Sequence, residues 1–121
     1  DYTPAEKLSY KLKKEDTIKT LALKPTVDIL KTLAAKKKQH QIVVGFALET
    51  NNEIENAKKK LHTKNADFIV LNSLNDEGAG FGVTTNKVSL IDASDNITDI
   101  PLQSKKLVAE TILDHVLQRI L

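Results

Sequence analysis

The residues whose types and spacing could do chemistry lie between Ile42 and Lys64. Lys60 and Lys64 are four residues apart, so on a helix they share one face and could neutralise phosphate groups together. Phe46 follows a short apolar run that is long enough for a buried strand, and its ring could contact a planar ligand. Ligands of open α/β sheets bind beyond the carboxyl ends of strands. The combination therefore predicts a site for a base and its phosphates.

Each of these residues also has a purely structural interpretation. Lysines in the last turns of a helix commonly form a solvated surface that complements the helix dipole. A single phenylalanine lies in the core more often than in a ligand site. The combination is more specific than its parts, but it names no ligand.

The composition excludes several classes of protein. The chain has 121 residues, a net charge of +2 and only one arginine, Arg119, which does not favour nucleic-acid binding. It has no cysteine, and His40, His62 and His115 lack the spacing of metal ligands. No apolar run approaches the ~20 residues of a membrane span. We expect one domain or a piece of one, cytoplasmic, with neither nucleic acid nor membrane as a partner.

The hydrophobic pattern predicts that strands alternate with helices. Predicted strands cover residues 17–23, 41–47, 66–72, 87–92 and 97–100, and predicted helices cover about 27–38, 51–64 and 104–121. This order predicts a three-layer, Rossmann-like α/β fold with a mostly parallel sheet and an antiparallel hairpin at one edge. Because the core strands are few, we expect the domain to be incomplete.

Capping and core positions follow from the same pattern. Thr26, then Thr50 or Asn51, and finally Ser104 are the predicted N-caps of the three helices. The last helix is amphipathic, with its apolar stripe predicted at Leu107, Ile112, Val116 and Ile120.

Several motifs are similar to those of phosphopantothenoylcysteine synthetase, and the resemblance covers essentially the whole chain. Residues 45–50, GFALET, resemble that family's GFAAET signature. Residues 11–14, KLKK, resemble its lysine-rich lid, and Asp1-Tyr2 resembles the end of its ADY segment. In many bacteria this synthetase is the carboxyl-terminal part of a bifunctional phosphopantothenoylcysteine decarboxylase/phosphopantothenate–cysteine ligase of coenzyme A biosynthesis.

The resemblance implies a ligase that joins 4′-phosphopantothenate to L-cysteine through an acyl-cytidylate. CTP with Mg²⁺ is the implied nucleotide, and FMN is implied only for a separate decarboxylase domain of the full-length protein. The family acts as a homodimer. The chain by itself is expected to be an inactive nucleotide-side fragment, with residues 1–16 as a lid or flexible segment and 17–121 as part of the nucleotide-binding ligase domain.

The resemblance also implies roles for individual residues. Lys11 is the implied catalytic lysine of the lid, and no residue of the chain is an implied metal ligand. The implied nucleotide-binding residues are Asp1, Lys11, Leu23, Lys24, Pro25, Thr26, Phe46, Lys60 and Lys64.

Two other functions remain open from the sequence. The first is a non-catalytic nucleotide-binding α/β domain, which need not prefer CTP over ATP. The second is an interaction module that uses the helix at 104–121.

Overall fold

The computed structural model of the chain describes residues 1–15 and 20–121. Three helices lie in these ranges: α1 (Ile29–Lys36), α2 (Glu53–Lys64) and α3 (Lys105–Ile120). The strands in the same ranges are β1 (Tyr2–Pro4), β2 (Leu23–Pro25), β3 (Val44–Glu49), β4 (Phe68–Ser73), β5 (Thr85–Asp92) and β6 (Ile97–Ser104).

The main sheet is mixed and has the strand order β3-β4-β5-β6. Strand β4 pairs parallel with β3 and antiparallel with β5, and β5 pairs antiparallel with β6. Strands β1 and β2 form a separate antiparallel pair. The three-layer α/β fold with an antiparallel hairpin at one edge is therefore confirmed. The prediction of a mostly parallel sheet is wrong, because only the β3–β4 pair of this sheet is parallel.

A hydrophobic core lies on each side of the sheet, because successive side chains of a strand point to opposite faces. Ile69 of β4 belongs to a core with Leu61 of α2, whereas Val70 belongs to a core with Ile112 of α3. Burial of side chains of this size stabilises the fold by about 1.5–3 kcal/mol each. Helix α2 is thus fixed on one face of the sheet and α3 on the other.

The stripe of α3 that faces the sheet differs from the predicted one. Val108 and Ile112 are buried and Val116 is partly buried, whereas Leu107 and Ile120 are half exposed. The observed stripe follows the spacing i, i+4, i+8. Leu107 departs from this spacing, whereas Ile120 keeps it but is the last residue of α3.

Two of the three predicted N-caps are wrong. Asp28, not Thr26, caps α1, and its Oδ1 atom accepts a hydrogen bond from the Lys31 amide at 2.9 Å. The cap position of α2 is Asn52, whose φ of 45° lies in the left-handed region and whose side chain makes no capping hydrogen bond. Ser104 is confirmed as the cap of α3.

The amino-terminal region contains more regular structure than the pattern predicted. Strand β1 lies inside the segment predicted as a lid, and it pairs with β2 in the register Thr3 to Lys24. Residues 17–19 of the strand predicted at 17–23 lie outside the described residues. The observed strand β2 begins only at the last residue of that prediction, Leu23. The boundary at residue 16 also lies outside the described residues, so the division into 1–16 and 17–121 stays a prediction.

Candidate functional site

A cavity of about 520 Å³, here called the charged pocket, lies beside β3. It is bordered by the β1–β2 pair, the start of α1 and the second half of α2. Its lining residues are Asp1, Tyr2, Pro25, Thr26, Val27, Asp28, Ile29, Leu30, Phe46, Lys60, Lys64 and Ile69.

Backbone pairing brings the first residue of the chain to the pocket. The amide of Thr26 donates a hydrogen bond to the carbonyl of Asp1 at 3.0 Å, and the Thr26 hydroxyl donates to the same oxygen at 3.2 Å. These bonds extend the β1–β2 pair by one residue. Thr26 therefore anchors Asp1 instead of capping α1.

A glycine permits α1 to lie close to β3. A Cβ atom at Gly45 would be 2.8 Å from Ile69 Cδ1 and 2.8 Å from Leu30 Cδ2. These distances are far below van der Waals contact, so the absence of a side chain at Gly45 is what allows Leu30 to reach the strand. Leu30 and Ile69 form an apolar floor for the pocket.

Lys60 forms an ion pair with Glu49, the last residue of β3. The distance between Lys60 Nζ and Glu49 Oε1 is 2.5 Å, and the other carboxylate oxygen accepts a hydrogen bond from Asn56 Nδ2 at 3.4 Å. The Glu49 side chain is 12% exposed and that of Lys60 is 45% exposed. A nearly buried carboxylate therefore pairs with a lysine whose side chain is about half exposed.

Lys64 forms an ion pair with Asp28. The two carboxylate oxygens of Asp28 have different partners: Oδ1 caps α1, and Oδ2 accepts a hydrogen bond from Lys64 Nζ. The hydrogen bond from Lys64, and then that from the Lys31 amide, hold the pKa of Asp28 below its usual value. This carboxylate therefore links the start of α1 to the end of α2.

The structure brings six of the nine predicted site residues together. Asp1, Pro25, Thr26, Phe46, Lys60 and Lys64 line the charged pocket. Leu23 and Lys24 belong to the adjacent strand β2 but do not line the pocket, and Lys11 lies in the exposed segment after β1. The functional roles of all nine remain predictions.

Sequence reasoning missed both carboxylates that hold the lysines. Glu49 lies two residues after Ala47 on the same face of β3, which is the face that α2 covers. The period of a strand and the position of Lys60 on α2 were the signals that could have identified this pair. Asp28 was treated as an ordinary helical residue, because Thr26 was taken as the cap.

The lining can bind an anion and a flat apolar group side by side. An ammonium group has three N–H donors, so Lys60 and Lys64 each keep donors after pairing with a carboxylate. The exposed side chains of Tyr2, Val27, Ile29 and Phe46 supply apolar surface next to these charges. A phosphate group joined to a planar ring has matching chemistry.

A second cavity, here called the apolar groove, lies on the α3 side of β3. Its volume is also about 520 Å³. It is lined by Val44, Phe46, Asn86, Lys105, Val108, Ala109, Ile112, Leu113 and Val116. Phe46 thus contributes to both cavities.

The described residues hold neither a cluster of metal ligands nor a membrane-spanning helix. No group of three or more histidine, cysteine, aspartate or glutamate side chains in residues 1–15 and 20–121 is arranged to hold a metal ion. Within the same ranges, no helix combines the length and the apolar character that crossing a membrane requires.

Comparison with known proteins identifies relatives along the whole chain. A family described as "DNA/pantothenate metabolism flavoprotein C-terminal domain" matches residues 1–120. A cysteine/cysteine sulfinic acid decarboxylase from an unknown prokaryotic organism is 47% identical over 97% of this chain and 33% of its own length. The coenzyme A biosynthesis bifunctional protein CoaBC of Bacillus subtilis (strain 168) is 46% identical over 96% of this chain and 28% of its own length. The chain therefore spans a third or less of these relatives.

Solved structures show the same fold. The crystal structure of the C-terminal domain of coenzyme A biosynthesis bifunctional protein CoaBC matches with a TM-score of 0.67 and 43% identity, over 81% of this chain and 46% of that one. A DNA/pantothenate metabolism flavoprotein from Streptococcus pneumoniae matches with a TM-score of 0.70 and 20% identity, over 90% of this chain and 46% of that one. The second match supports the fold alone.

These names contradict part of what the resemblance implied. The family description specifies a flavoprotein, and the relative with 47% identity is named a decarboxylase. They overturn the assignment to phosphopantothenoylcysteine synthetase, the ligase activity, and CTP with Mg²⁺ as the cofactor pair. The link to coenzyme A biosynthesis agrees with the CoaBC relatives.

The family description implies a flavin, and the charged pocket can be tested against one. Lys60 and Lys64 could hold the phosphate of a flavin mononucleotide, and Phe46 could contact its ring system. With residues 1–120 matched, the chain belongs to the family of DNA/pantothenate metabolism flavoprotein C-terminal domains.

Proposed function

We propose that this chain is a ligand-binding part of a coenzyme A biosynthesis protein and that its charged pocket binds a phosphate group joined to a planar ring. The observation that carries the proposal is the convergence of Lys60 and Lys64, both accessible, with the exposed ring of Phe46 in one cavity. The names of the relatives describe proteins of which this chain covers a third or less. The proposal therefore concerns binding and not the reaction of the whole protein.

The two lysines explain why the ligand should be anionic. Asp1, Asp28 and Glu49 lie at or beside the pocket, so its attraction for an anion comes from the N–H donors of the lysines and not from a net positive charge. A neutral ligand would gain little from these charges. A phosphate group adds charge-assisted hydrogen bonds to donors that the carboxylates leave free.

Two classes of molecule share this chemistry. Flavin mononucleotide is the one that the flavoprotein description indicates, and it would supply redox chemistry when bound. Nucleotides also combine phosphate with a planar base. The pocket residues recognise what the two classes have in common, so the experiment must distinguish them.

The test is a calorimetric titration of the complete chain with a matched set of ligands. Flavin mononucleotide is compared with riboflavin, which lacks the phosphate, and with CTP, ATP and 4′-phosphopantothenate. The proposal predicts that phosphorylated ring compounds bind and that riboflavin binds at least about tenfold more weakly. Equal binding of riboflavin and flavin mononucleotide would contradict a role for the lysines. The preferred ring compound then identifies the ligand class.

The remaining partners are part of the same proposal. Substrates of the pathway, 4′-phosphopantothenate and L-cysteine, are proposed for the longer protein because the CoaBC relatives act in coenzyme A biosynthesis. A homodimer and a cytoplasmic location are proposed on the same ground. Sedimentation of the chain at several concentrations tests the dimer.

A further inference from the structure

The lysines of the charged pocket differ in how they are held: the carboxylate that pairs with Lys60 is nearly buried, whereas the one that pairs with Lys64 is more exposed. The buried carboxylate points to a role for a residue without an assigned function. We propose that Glu49 is a positioning residue that holds the Lys60 ammonium group where it meets the phosphate of the ligand. This inference rests on the proposed function, because it requires that the pocket binds phosphate.

Glu49 is itself fixed in place. It ends β3, and its side chain is 12% exposed. One carboxylate oxygen lies 2.5 Å from Lys60 Nζ, and the other accepts a hydrogen bond from Asn56 Nδ2 at 3.4 Å. Asn56 precedes Lys60 by four residues on α2, so the two contacts attach the carboxylate to one face of that helix.

A fixed carboxylate partner can increase the affinity of a lysine for an anionic ligand. The long side chain of lysine is flexible, and ordering it when a ligand binds costs conformational entropy. The ion pair with Glu49 orders the Lys60 side chain in advance, and N–H donors of its ammonium group remain for the ligand. Binding then requires less rearrangement, which increases affinity without adding a contact between Glu49 and the ligand.

Glu49 could also have the opposite effect and weaken the binding of the phosphate. A carboxylate next to a bound phosphate repels it, so Glu49 could instead compete with the ligand for Lys60. Positioning and competition predict changes of opposite sign when the charge of Glu49 is removed. Lys60 lines the charged pocket and its side chain is 45% exposed while the ion pair is intact, which favours positioning.

The experiment is a double-mutant cycle on the complete chain. Inorganic pyrophosphate is the probe, because it carries the phosphate chemistry without any choice of ring, and binding is measured by calorimetry. The variants are Glu49→Gln, Lys60→Met and the double variant. Glu55→Gln is the control, because Glu55 is an exposed carboxylate in the first turn of α2 and does not line the charged pocket.

Positioning predicts that Glu49→Gln weakens binding roughly fivefold to tenfold, that Glu55→Gln leaves it unchanged, and that Glu49→Gln has no further effect in the Lys60→Met background. Unchanged or tighter binding by Glu49→Gln, with a loss in Lys60→Met, overturns positioning and leaves the proposed function in place. Equal losses from Glu49→Gln in both backgrounds also overturn it. No loss in Lys60→Met contradicts the proposed site and the positioning role together.

A second variant covers the case in which Glu49→Gln does not fold. Asp28→Asn removes the charge that holds Lys64 but keeps an oxygen that can cap α1. If carboxylates position the pocket lysines, Asp28→Asn weakens pyrophosphate binding in the wild-type background and not in a Lys64→Met background. Tighter binding in Asp28→Asn contradicts the proposal.

Discussion

The charged pocket and the apolar groove have the same volume, about 520 Å³, and opposite linings. Both lie beside β3, whose residues alternate between the two faces of the sheet. Ala47 and Glu49 face α2, and Val44 faces α3. Helix α2 then adds lysines on one side, whereas α3 adds alanine, leucine and valine on the other.

The difference shows how one edge strand can build two kinds of surface. The groove is formed by apolar side chains of β3 and α3 and two polar residues, Asn86 and Lys105. The ammonium group of Lys105 donates to the carbonyl of Gly80. In the charged pocket, the cations and their carboxylates come from three separate segments of the chain. Of these two cavities, the charged pocket is therefore the one for which we propose phosphate binding, and Phe46 is the residue that they share.

The largest expected effect concerns the core that supports the charged pocket. Leu61 of α2 is 1% exposed, whereas Leu113 of α3, which lines the apolar groove, is 60% exposed. Leu61→Ala is expected to lower the free energy of unfolding by about 2–5 kcal/mol, because it leaves a cavity. Leu113→Ala is expected to change it by less than ~0.5 kcal/mol. Chemical denaturation of both variants measures the difference, and similar losses would show that the groove is buried in solution.

Phe46→Ala has its main effect on binding. The ring is 72% exposed, so its removal is expected to change the free energy of unfolding by less than about 1 kcal/mol. Its stacking on a planar ligand is worth about 1–3 kcal/mol, or roughly fivefold to a hundredfold in affinity. Titration with the ring compound that binds best, together with Phe46→Leu as an apolar control without a ring, tests this. Unaltered affinity in both variants would remove Phe46 from the site.

The pH dependence of stability reports on the Lys64–Asp28 pair. The folded-state pKa of Asp28 lies below the ordinary value of 3.8, so the pair contributes stability above that value and loses it as the pH falls through the folded-state pKa. We expect wild type and Lys64→Met to differ most in melting temperature near neutral pH and to converge in strong acid. The pair is partly exposed, so the difference is small, and high salt should reduce it further. A difference that grows in acid would contradict this assignment.

Much of the fold could be predicted from the sequence, because it depends on local periodicity. The buried run of β4 and the amphipathic spacing of α2 each specify an element and its buried face. Ser104 was identifiable as a cap for the same reason. The β1–β2 pair was not, because each strand has three residues and the pair depends on a contact between distant segments.

The site was predictable only in part. Lys60 and Lys64 follow from helical spacing, but their partners Asp28 and Glu49 come from other elements. The left-handed Asn52 at the start of α2 could not be predicted either, since Thr50 and Asn51 are both favourable caps. The assignment of the activity from motif resemblance was contradicted by the family description, although the link to coenzyme A biosynthesis agrees with the relatives.

The central claim is that the charged pocket binds the phosphate and the apolar groove does not. The most direct test compares the loss of one lysine from each cavity. Pyrophosphate is titrated into wild type, Lys60→Met from the charged pocket and Lys105→Met from the apolar groove, which lose the same charge. We predict that Lys60→Met lowers the affinity about tenfold and that Lys105→Met leaves it within about twofold of wild type. Equal losses in the two variants, or a loss in Lys105→Met alone, would contradict the claim.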